Sequence, residues 1–593
     1  MAQITVQDTS KVFQIRKFLG LNESPDGDTQ LKMGEASELR NWQITPNYHL
    51  RIRPGTRTKY RFSGPVQGLW SGYVGGREVM LCAADGGIWD LTGGAMRRIG
   101  DCWDDKTEFF GFGNKVYILN GHEYLFWDGD GYVDTVAGYV PLVISAAKPS
   151  GDGTTVESVN RLTGKRRIRY SPDGEAKDYL LPEQGLLAVD WVKVEGVETT
   201  AYTVDLTAGK VTFITAPKAG QNAVEIQYTM PNSLRADIES MRHWEFYNGA
   251  AETRVFLYGN GTAKAYYCGV TQNAQASAEY FPDLYEIQVG DLNSPLTGMV
   301  KHYDRLLAFK TDGAHVIEYS AVTLADGSIV PGFYQAPLNR EIGNDAVGQV
   351  RLVYNFPRTV FAGALYDWKL ASSSVRDERN ARMISQRVQQ SMEAADMEKV
   401  FTFDNDRTQE YMVFLNDEAG TVIVHRYIGD VWYKYTNFPV VSACHHKDHA
   451  YFGTSDGRVM MLDEEVRSDD GQPIDAMYVT GAMDFGADYR RKHSSVIWVS
   501  LKPTANARVE VTARSDRRSD YIDKVVSTSL FDYSSVDYGH WTYQVNSQPQ
   551  MERLKLKVKK FVWYKLIIKS KSVSSTATVL SADMRVRYTG YVK

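Results

Sequence analysis

EVMLCAADGGIWDL, Glu78 to Leu91, reads as a strand, a tight turn at Asp85-Gly86 and a second strand. Asp-Gly and Asn-Gly accept the positive φ angles of two-residue hairpin turns. The same grammar returns along the chain. It recurs as KVYILNGHEYLFW around Asn120-Gly121, RVFLYGNGTAKAYY around Asn260-Gly261 and RLLAFKTDGAHVIEY around Asp312-Gly313. Further copies are MVFLNDEAGTVIVHRY around Asp417 to Gly420 and AYFGTSDGRVMML around Asp456-Gly457, with a looser one, TVFAGALYDWKLA, expected to turn near Tyr366-Asp367. The flanking Val, Ile, Leu, Phe and Tyr runs are strand-like and too short for globular helices.

Most of these hairpins follow another turn and strand, such as YVGGREV before the first and CHHKDHAYF before the last. Each repeat therefore reads as a small antiparallel meander. Neighbouring turns lie about 35 to 55 residues apart, the period of propeller blades. One meander cannot bury both faces, but several arranged radially cover each other. The expected fold is all-β: a β-propeller of about six or seven blades, an inserted β domain, a C-terminal β domain and few helices. A pair of stacked β-sandwiches is the alternative.

The chain has 593 residues, enough for several packing units. With 43% hydrophobic and 23% charged residues, disorder is excluded for most of it. The 36 Tyr, 12 Trp and 49 Gly favour strands and turns over helical bundles. A net charge of −5 argues against general coating of nucleic acid by the outer surface. Cys82, Cys102, Cys268 and Cys444 are far apart, which gives no disulfide framework and suits a reducing compartment. No apolar core precedes a cleavage site near the N-terminus, so no signal peptide is expected. The longest apolar run, around Tyr139 to Ala147, is about half a membrane span, and no span is expected.

Five segments follow: an N-terminal, partly extended stretch (1–65), a first set of blades (66–140), an inserted β-rich domain (141–231), a second set of blades (232–478) and a C-terminal β domain (479–593). The insert alternates polar and apolar residues in KRRIRYS, AVDWVKV, TAYTVDL, GKVTFITAP and AVEIQYT, as a half-buried antiparallel sheet requires. In RLKLKVKK near the C-terminus, Leu554, Leu556 and Val558 face one way and Lys555, Lys557 and Lys559 the other. Two helices are expected. Asn232 or Ser233 caps one running through Leu234, Ile238 and Met241, and the other spans Asp377 to Asp396.

Chemical candidates are few. CHHKDH, Cys444 to His449, holds zinc-ligand types, but adjacent strand residues point to opposite faces and cannot converge on one ion. WDGDGY opens like a calcium loop, yet Tyr139 stands where a bidentate Glu should close it. The acidic run Asp463, Glu464, Glu465 with Asp469-Asp470 reads as a solvated loop. No phosphate-binding loop and no nucleophile elbow occur. AADGGIWD approaches a sialidase Asp-box but lacks its leading Ser and its spacing. No catalytic, cofactor-binding or metal-binding residue is assigned, and an enzyme is not expected. Weak contacts with DNA or a partner are assigned to Lys165, Arg166, Arg167 and Arg169 in the insert, and to Arg379, Arg382 and Arg387 in the second helix. Alternation sets Arg167 and Arg169 on one face and Arg166 on the other.

FLGLNESPDGDTQLKMGEASELRNWQITPNYHLRIRPGTR, Phe18 to Arg57, resembles the opening of tail proteins of tailed bacteriophages and prophages. The elements that carry the resemblance are Gly20-Leu21-Asn22, Gly34-Glu35-Ala36, Arg40-Asn41-Trp42 and Arg51-Ile52-Arg53-Pro54-Gly55. ETRVFLYGN, YYCGV, AEYFPDLYEIQVGD and TGMVKHYDRLLAFK, within Glu252 to Lys310, are similar to the middle of the same proteins. The family is the tail nozzle, or tail hub, of short-tailed phages. The resemblance implies a virion structural protein, made in the bacterial host cytoplasm and placed in the virion tail. It implies a homo-oligomeric, hexameric ring below portal and adaptor proteins, through which double-stranded DNA passes and on which tail fibres or distal proteins dock. It carries over no catalytic residue and no cofactor. A tail adaptor or receptor-binding protein is the first alternative, and a propeller glycan-active enzyme the second.

Overall fold

A computed structural model describes residues 10–23, 28–249, 252–323, 329–369, 380–504, 506–519, 521–528, 548–573 and 575–592. The chain divides into two compact units, one of residues 1–66, 351–370 and 379–593 and the other of residues 67–350 and 371–378. In both, nearly all the regular secondary structure is β-strand. Among the described residues the α-helices are Arg235–Glu239 and Gln389–Glu393 alone.

Four-stranded meanders, the blades of a propeller, recur in order along the chain. Blade 1 consists of Val66–Val74, Arg77–Ala84, Gly87–Asp90 and Arg97–Asp101, and blade 2 of Glu108–Phe112, Lys115–Leu119, Tyr124–Trp127 and Asp134–Thr135. Blade 3 joins His243–Asn248, Thr253–Tyr258, Lys264–Tyr267 and Glu286–Gln288, and blade 4 Leu296–His302, Arg305–Lys310, Gly313–Thr323 and Ile329–Asn339. Their cores are shared between neighbours. Val79 and Leu81 of blade 1 pack with Ile118 and Trp127 of blade 2. Phe110 and Tyr124 of blade 2 pack with Val255 and Leu257 of blade 3, and Phe256 of blade 3 lies in one cluster with Met299 and Leu306 of blade 4. Face-to-face burial of this kind is what a lone meander lacks.

The first unit, of residues 1–66, 351–370 and 379–593, carries blade 5 (Arg351–Val353, Phe356–Phe361, Ala364–Trp368, Ala381–Met383) and blade 6 (Phe401–Asn405, Glu410–Phe414, Val422–Arg426, Val431–Tyr435). Blade 7 is different in origin. Val440–His446, His449–Thr454 and Arg458–Asp463 receive their fourth strand from the N-terminal segment, as Gly55–Arg61 runs antiparallel to Arg458–Asp463. Phe403 and Phe414 of blade 6 meet Phe452 of blade 7 at 5.7 Å between ring centroids.

The turns follow local chemistry. Asp85 and Gly86 have φ of 51° and 64°, the geometry of a type I′ hairpin. In blade 5 the expected turn at Tyr366-Asp367 is corrected. Both residues lie inside the strand Ala364–Trp368, and the chain bends at Ala362-Gly363, with φ of 47° and 70°. Gly363 takes that conformation without strain, whereas Tyr366 and Asp367 supply cross-strand pairs on both sides.

The insert holds two sheets around one core. Six strands run in the order Thr154–Thr155, Leu142–Ala147, Lys165–Tyr170, Val224–Thr229, Ala188–Val194, Val197–Thr199, and three more pair as Asp178–Leu180, Lys210–Phe213, Tyr202–Asp205. Tyr170, Tyr179, Val192, Val211, Phe213 and Ile226 fill the space between. The purely antiparallel sheet expected here is corrected at one edge, because Leu142–Ala147 pairs in parallel with Lys165–Tyr170. The long connection through residues 148–164 permits that crossover.

The first expected helix forms only as Arg235–Glu239, with Ile238 buried. It is corrected at both ends: Leu234 rather than Asn232 or Ser233 stands at its N-cap with no side-chain cap, and Met241 lies beyond its end. Asn232 Oδ1 accepts the Leu234 N–H at 3.1 Å in the preceding turn. The second does not form as expected. Ala381–Met383 is drawn off as the outer strand of blade 5, leaving a short 3₁₀ turn at Gln386–Val388 and the helix Gln389–Glu393. One narrow apolar stripe buries too little to compete with a strand that completes a sheet. Residues 377–379 of that expected helix lie outside the described residues.

The C-terminal strands Arg490–Leu501, Ala507–Ser515, Tyr564–Ser572 and Thr578–Tyr591 take the N-terminal segment into their sheets. Ser10–Ile15 runs antiparallel to Thr578–Tyr591, and Glu35–Arg40 runs antiparallel to Gln472–Thr480. The alternation in RLKLKVKK holds, with Leu554, Leu556 and Val558 buried and Lys555, Lys557 and Lys559 exposed. The strand is nevertheless interrupted between Gln550–Leu554 and Val558–Phe561.

Candidate functional site

A buried polar network in the first unit surrounds the N-terminal segment and joins residues between Phe18 and Gly55 to Thr436, Asp469, Asp475 and Tyr478. Phe18 is fully buried and meets the Tyr478 ring edge-on at 5.2 Å. Gly34 has φ of +100°, and a Cβ there would stand 2.2 Å from the Lys17 carbonyl oxygen. No side chain fits that approach. The Gly34 carbonyl accepts the Tyr478 hydroxyl at 3.2 Å, and the neighbouring Glu35 accepts Asn22 Nδ2 at 3.1 Å and the Lys32 N–H at 2.9 Å.

Asn41 and Arg53 form the centre. Asn41 Oδ1 accepts the Thr436 N–H at 2.9 Å and Arg53 Nε at 3.0 Å, while its Nδ2 donates to Thr436 Oγ1 at 2.8 Å and the Asp475 carbonyl at 2.9 Å. All the bonding capacity of the amide is spent. Arg53, 1% exposed, meets Asp469 in a two-point ion pair at 2.9 and 2.5 Å and also donates to the Pro54 and Thr436 carbonyls. Its guanidinium lies 4.7 Å from the Phe438 ring centroid. Asp469 further accepts Thr56 Oγ1 at 3.1 Å. A fork-on-fork pair with its remaining donors satisfied is the geometry in which a buried charge is tolerated.

A second knot lies on blade 6. Glu410, buried, accepts Gln43 Nε2 at 2.8 Å, Thr408 Oγ1 at 2.8 Å and the Tyr433 hydroxyl. Burial raises the Glu410 carboxyl above its ordinary value, and the three hydrogen bonds oppose that rise. Glu23 binds Lys434 and Ser391. His425 stacks on Trp432 at 4.2 Å and bonds Asp430 at 3.0 Å, which holds the Asp430 carboxyl below its usual range. A cavity of about 500 Å³ beside Leu21 and Leu39 is rimmed by both signs of charge, Glu23 and Asp417 against Arg40 and Lys434. These contacts bind chain to chain; no nucleophile is paired with a base among them.

The basic residues singled out in the sequence are dispersed, and the arginines of the insert are paired with carboxylates. In the insert Arg167 and Arg169 both reach Glu225, at 3.3 and 3.2 Å, while Arg166 on the other face binds Glu183, which also accepts the Tyr228 hydroxyl at 2.5 Å. Lys165 is exposed at the start of the same strand. Arg382 is exposed on the outer strand of blade 5, opposite Asp367, and Arg387 donates to the Asp430 carbonyl at 3.0 Å. Arg379 lies outside the described residues.

The CHHKDH stretch bends at Lys447, with φ of 52°, between paired strands. Cys444 is buried and its thiol is pushed up to about 12 by burial, while His445 turns to Asn405 Oδ1 at 3.2 Å. Among the described residues no group of three His, Cys, Asp or Glu converges as metal ligands would. Among the same residues no helix is long and apolar enough to cross a membrane. The acidic run is corrected. Asp469 and Asp463 are not solvated: they are 8% exposed and bind Arg53 and, at 2.9 Å, Arg57. Sequence reading missed Asp469, Glu410 and Asn41 as structural centres because each has a partner hundreds of residues away, Arg53 for Asp469, Gln43 for Glu410 and Thr436 for Asn41.

No family model matches the chain, and no curated protein does. Among solved structures, the computationally designed Ika8 protein aligns at a TM-score of 0.32 with 10% identity, over 68% of this chain and 98% of its own. The AfRom2 CNH domain aligns at 0.34 with 7% identity, over 69% and 99%. An exo-beta-1,3-galactanase from Phanerochaete chrysosporium aligns at 0.20 with 7% identity, over 57% and 95%. Superpositions this loose carry no functional argument.

Proposed function

We propose that this chain is a virion structural protein, the subunit of a bacteriophage tail nozzle, which acts by assembling into a ring-shaped conduit and docking platform for other tail proteins. What supports the reading is the part played by the residues that carry the family resemblance. Gly34, Glu35, Asn41, Arg53 and Gly55 are committed to holding the N-terminal segment in the frame. Gly55–Arg61 covers an edge of blade 7, and Glu35–Arg40 of the same segment pairs with Gln472–Thr480. Such cross-linking of distant segments resists local opening, a property a load-bearing conduit needs and a catalyst does not.

In this reading double-stranded DNA passes through the ring, and portal or adaptor proteins and tail fibres bind its two ends. Tyr and Trp at the surface offer contact area with a polar handle for those partners. The test is electron microscopy of the purified chain and mass analysis of purified phage particles. Ring-shaped hexamers and presence in the particle are the expected outcome. A chain that stays monomeric and is absent from particles overturns the reading, and turnover of a glycan abolished by one Asp or Glu substitution replaces it with the enzyme alternative.

A further inference from the structure

Trp103 is 58% exposed, whereas every other tryptophan among the described residues is buried or half-buried. It lies in the connection between the outer strand of blade 1, Arg97–Asp101, and the first strand of blade 2, Glu108–Phe112. In antiparallel meanders that connection leaves from the same end as the turn between the second and third strands, here Asn120 to Glu123 of blade 2. The two segments are locked together. The indole stacks on His122, with ring centroids 4.8 Å apart and planes at 26°, which leaves its other face to solvent. The Trp103 backbone N–H donates to Glu123 Oε2 at 2.8 Å, and that oxygen also accepts Asn120 Nδ2 at 3.2 Å. Buried Asn120 accepts the backbone N–H groups of His122 and Glu123 on its Oδ1, at 2.9 and 2.8 Å. His122 Nε2 and Arg242 Nη2 both donate to Asp105 Oδ2, at 3.2 and 3.0 Å.

An exposed indole forgoes the burial that most favours an aromatic ring. Held rigid, it loses little further freedom when a ligand covers it. Polar groups with unused capacity surround it. The Trp103 indole N–H, Glu123 Oε1 and Asp104 Oδ2 make no hydrogen bond among the described residues, and Arg242 keeps side-chain donors beyond the one given to Asp105. Glu123 and Asp104 gather about the residue before Trp103: after burial, they are the next causes that push the Cys102 thiol up to about 12. Asp101 is answered by Arg98 at 2.8 Å and Asp105 by Arg242. A cation on this face would meet Arg242 and leave the donors unused. A nucleotide would bring its phosphate against two carboxylates. Hydroxyl groups use donors and acceptors alike.

We propose that Trp103 is the stacking platform of a neutral saccharide site, with the C–H face of a pyranose ring on the indole and the ring hydroxyls bound by Asp104, Glu123 and Arg242. A pyranose combines a flat apolar face with a rim of hydroxyls, each of which both donates and accepts. The assignment adds a ligand and a site that ring assembly does not require. A monomer that binds saccharide would sink the conduit reading alone, and a ring that binds none would sink the site alone.

A microarray of neutral glycans, followed by titration calorimetry of the retained oligosaccharide, tests it on the full chain. Trp103→Ala is expected to weaken binding about tenfold or more, and Trp103→Phe to keep part of it. Tyr354→Ala, at an exposed aromatic of the other unit, leaves it unchanged. Because the ligand is uncharged, raising salt from about 50 to about 500 mM shifts the affinity by less than about twofold. Circular dichroism checks the fold of the variants. Should Trp103→Ala misfold, Asp104→Ala at the exposed rim carries the test, with an expected loss of about threefold. Retention of no neutral glycan overturns the proposal, as does affinity unaltered by both changes. An oligoarginine peptide or duplex DNA bound as tightly as the glycan, and released by salt, also overturns it.

Discussion

Arg53 and Asp469, separated by 416 positions in the chain, form a buried two-point ion pair at 2.9 and 2.5 Å. The pair joins the N-terminal segment to the strand that leaves blade 7. Removing one partner strands the other without compensation, so Asp469→Asn or Arg53→Ala is expected to destabilise the first unit by about 3–5 kcal/mol. Chemical denaturation of the full chain measures it. A double change to apolar residues of similar volume should recover most of the loss, and a single-variant loss below about 1 kcal/mol would contradict a buried charge pair at this site.

Gly34 and Gly76 separate steric approach from backbone conformation. Both have positive φ, +100° and +78°, but a Cβ on Gly34 falls 2.2 Å from Lys17 O whereas one on Gly76 meets nothing within 4 Å. Gly76→Ala therefore costs about 1–2 kcal/mol, the price of the left-handed conformation alone. Gly34→Ala must also push the backbone aside and is expected to cost clearly more, with faster proteolysis of the N-terminal segment as a second readout. Equal losses would refute the close approach.

Asp404 on blade 6 is pushed up to about 6, chiefly by burial and despite the Arg358 guanidinium. Its native state thus holds a proton that the unfolded chain has already released. The sign follows from linkage: stability is greatest below the unfolded value near 4 and falls as pH rises towards 6. Asp404→Asn removes this dependence. Measured by denaturation at pH 4 and pH 7, the variant should gain relative to the wild type at the higher pH. A difference that does not change with pH would exclude an elevated Asp404.

Arg161 anchors the insert to blade 3. It is 6% exposed and binds Asp237 at 2.6 Å, Glu286 at 2.9 Å and the Asp283 carbonyl at 2.5 Å, with the Tyr266 ring 4.6 Å away. Arg161→Ala leaves two carboxylates without their cation and is expected to speed cleavage near residues 137–141 and 230–234, where the insert joins the blades. Arg169→Ala, which removes only a half-buried ion pair to Glu225 within the same domain, should change the cleavage rate little.

What the sequence determined was everything carried by neighbours a few positions apart. Asp85-Gly86 and Asp456-Gly457 marked hairpins because the positive φ adopted by Asp85, Gly86 and Gly457 is a property of the turn residues themselves. Alternation in Lys165–Tyr170 and in Leu554 to Lys559 set which side chains turned inward, because a strand has a period of two. Only the tertiary structure decided the rest. It gave blade 7 its outer strand from Gly55–Arg61, drew Ala381–Met383 out of an expected helix, and supplied Glu183 and Glu225 to neutralise the arginines of the insert. Edge pairing and charge pairing depend on which backbone or carboxylate arrives opposite after the chain has folded, and a hydrogen bond or an ion pair leaves no periodic mark on either partner's sequence.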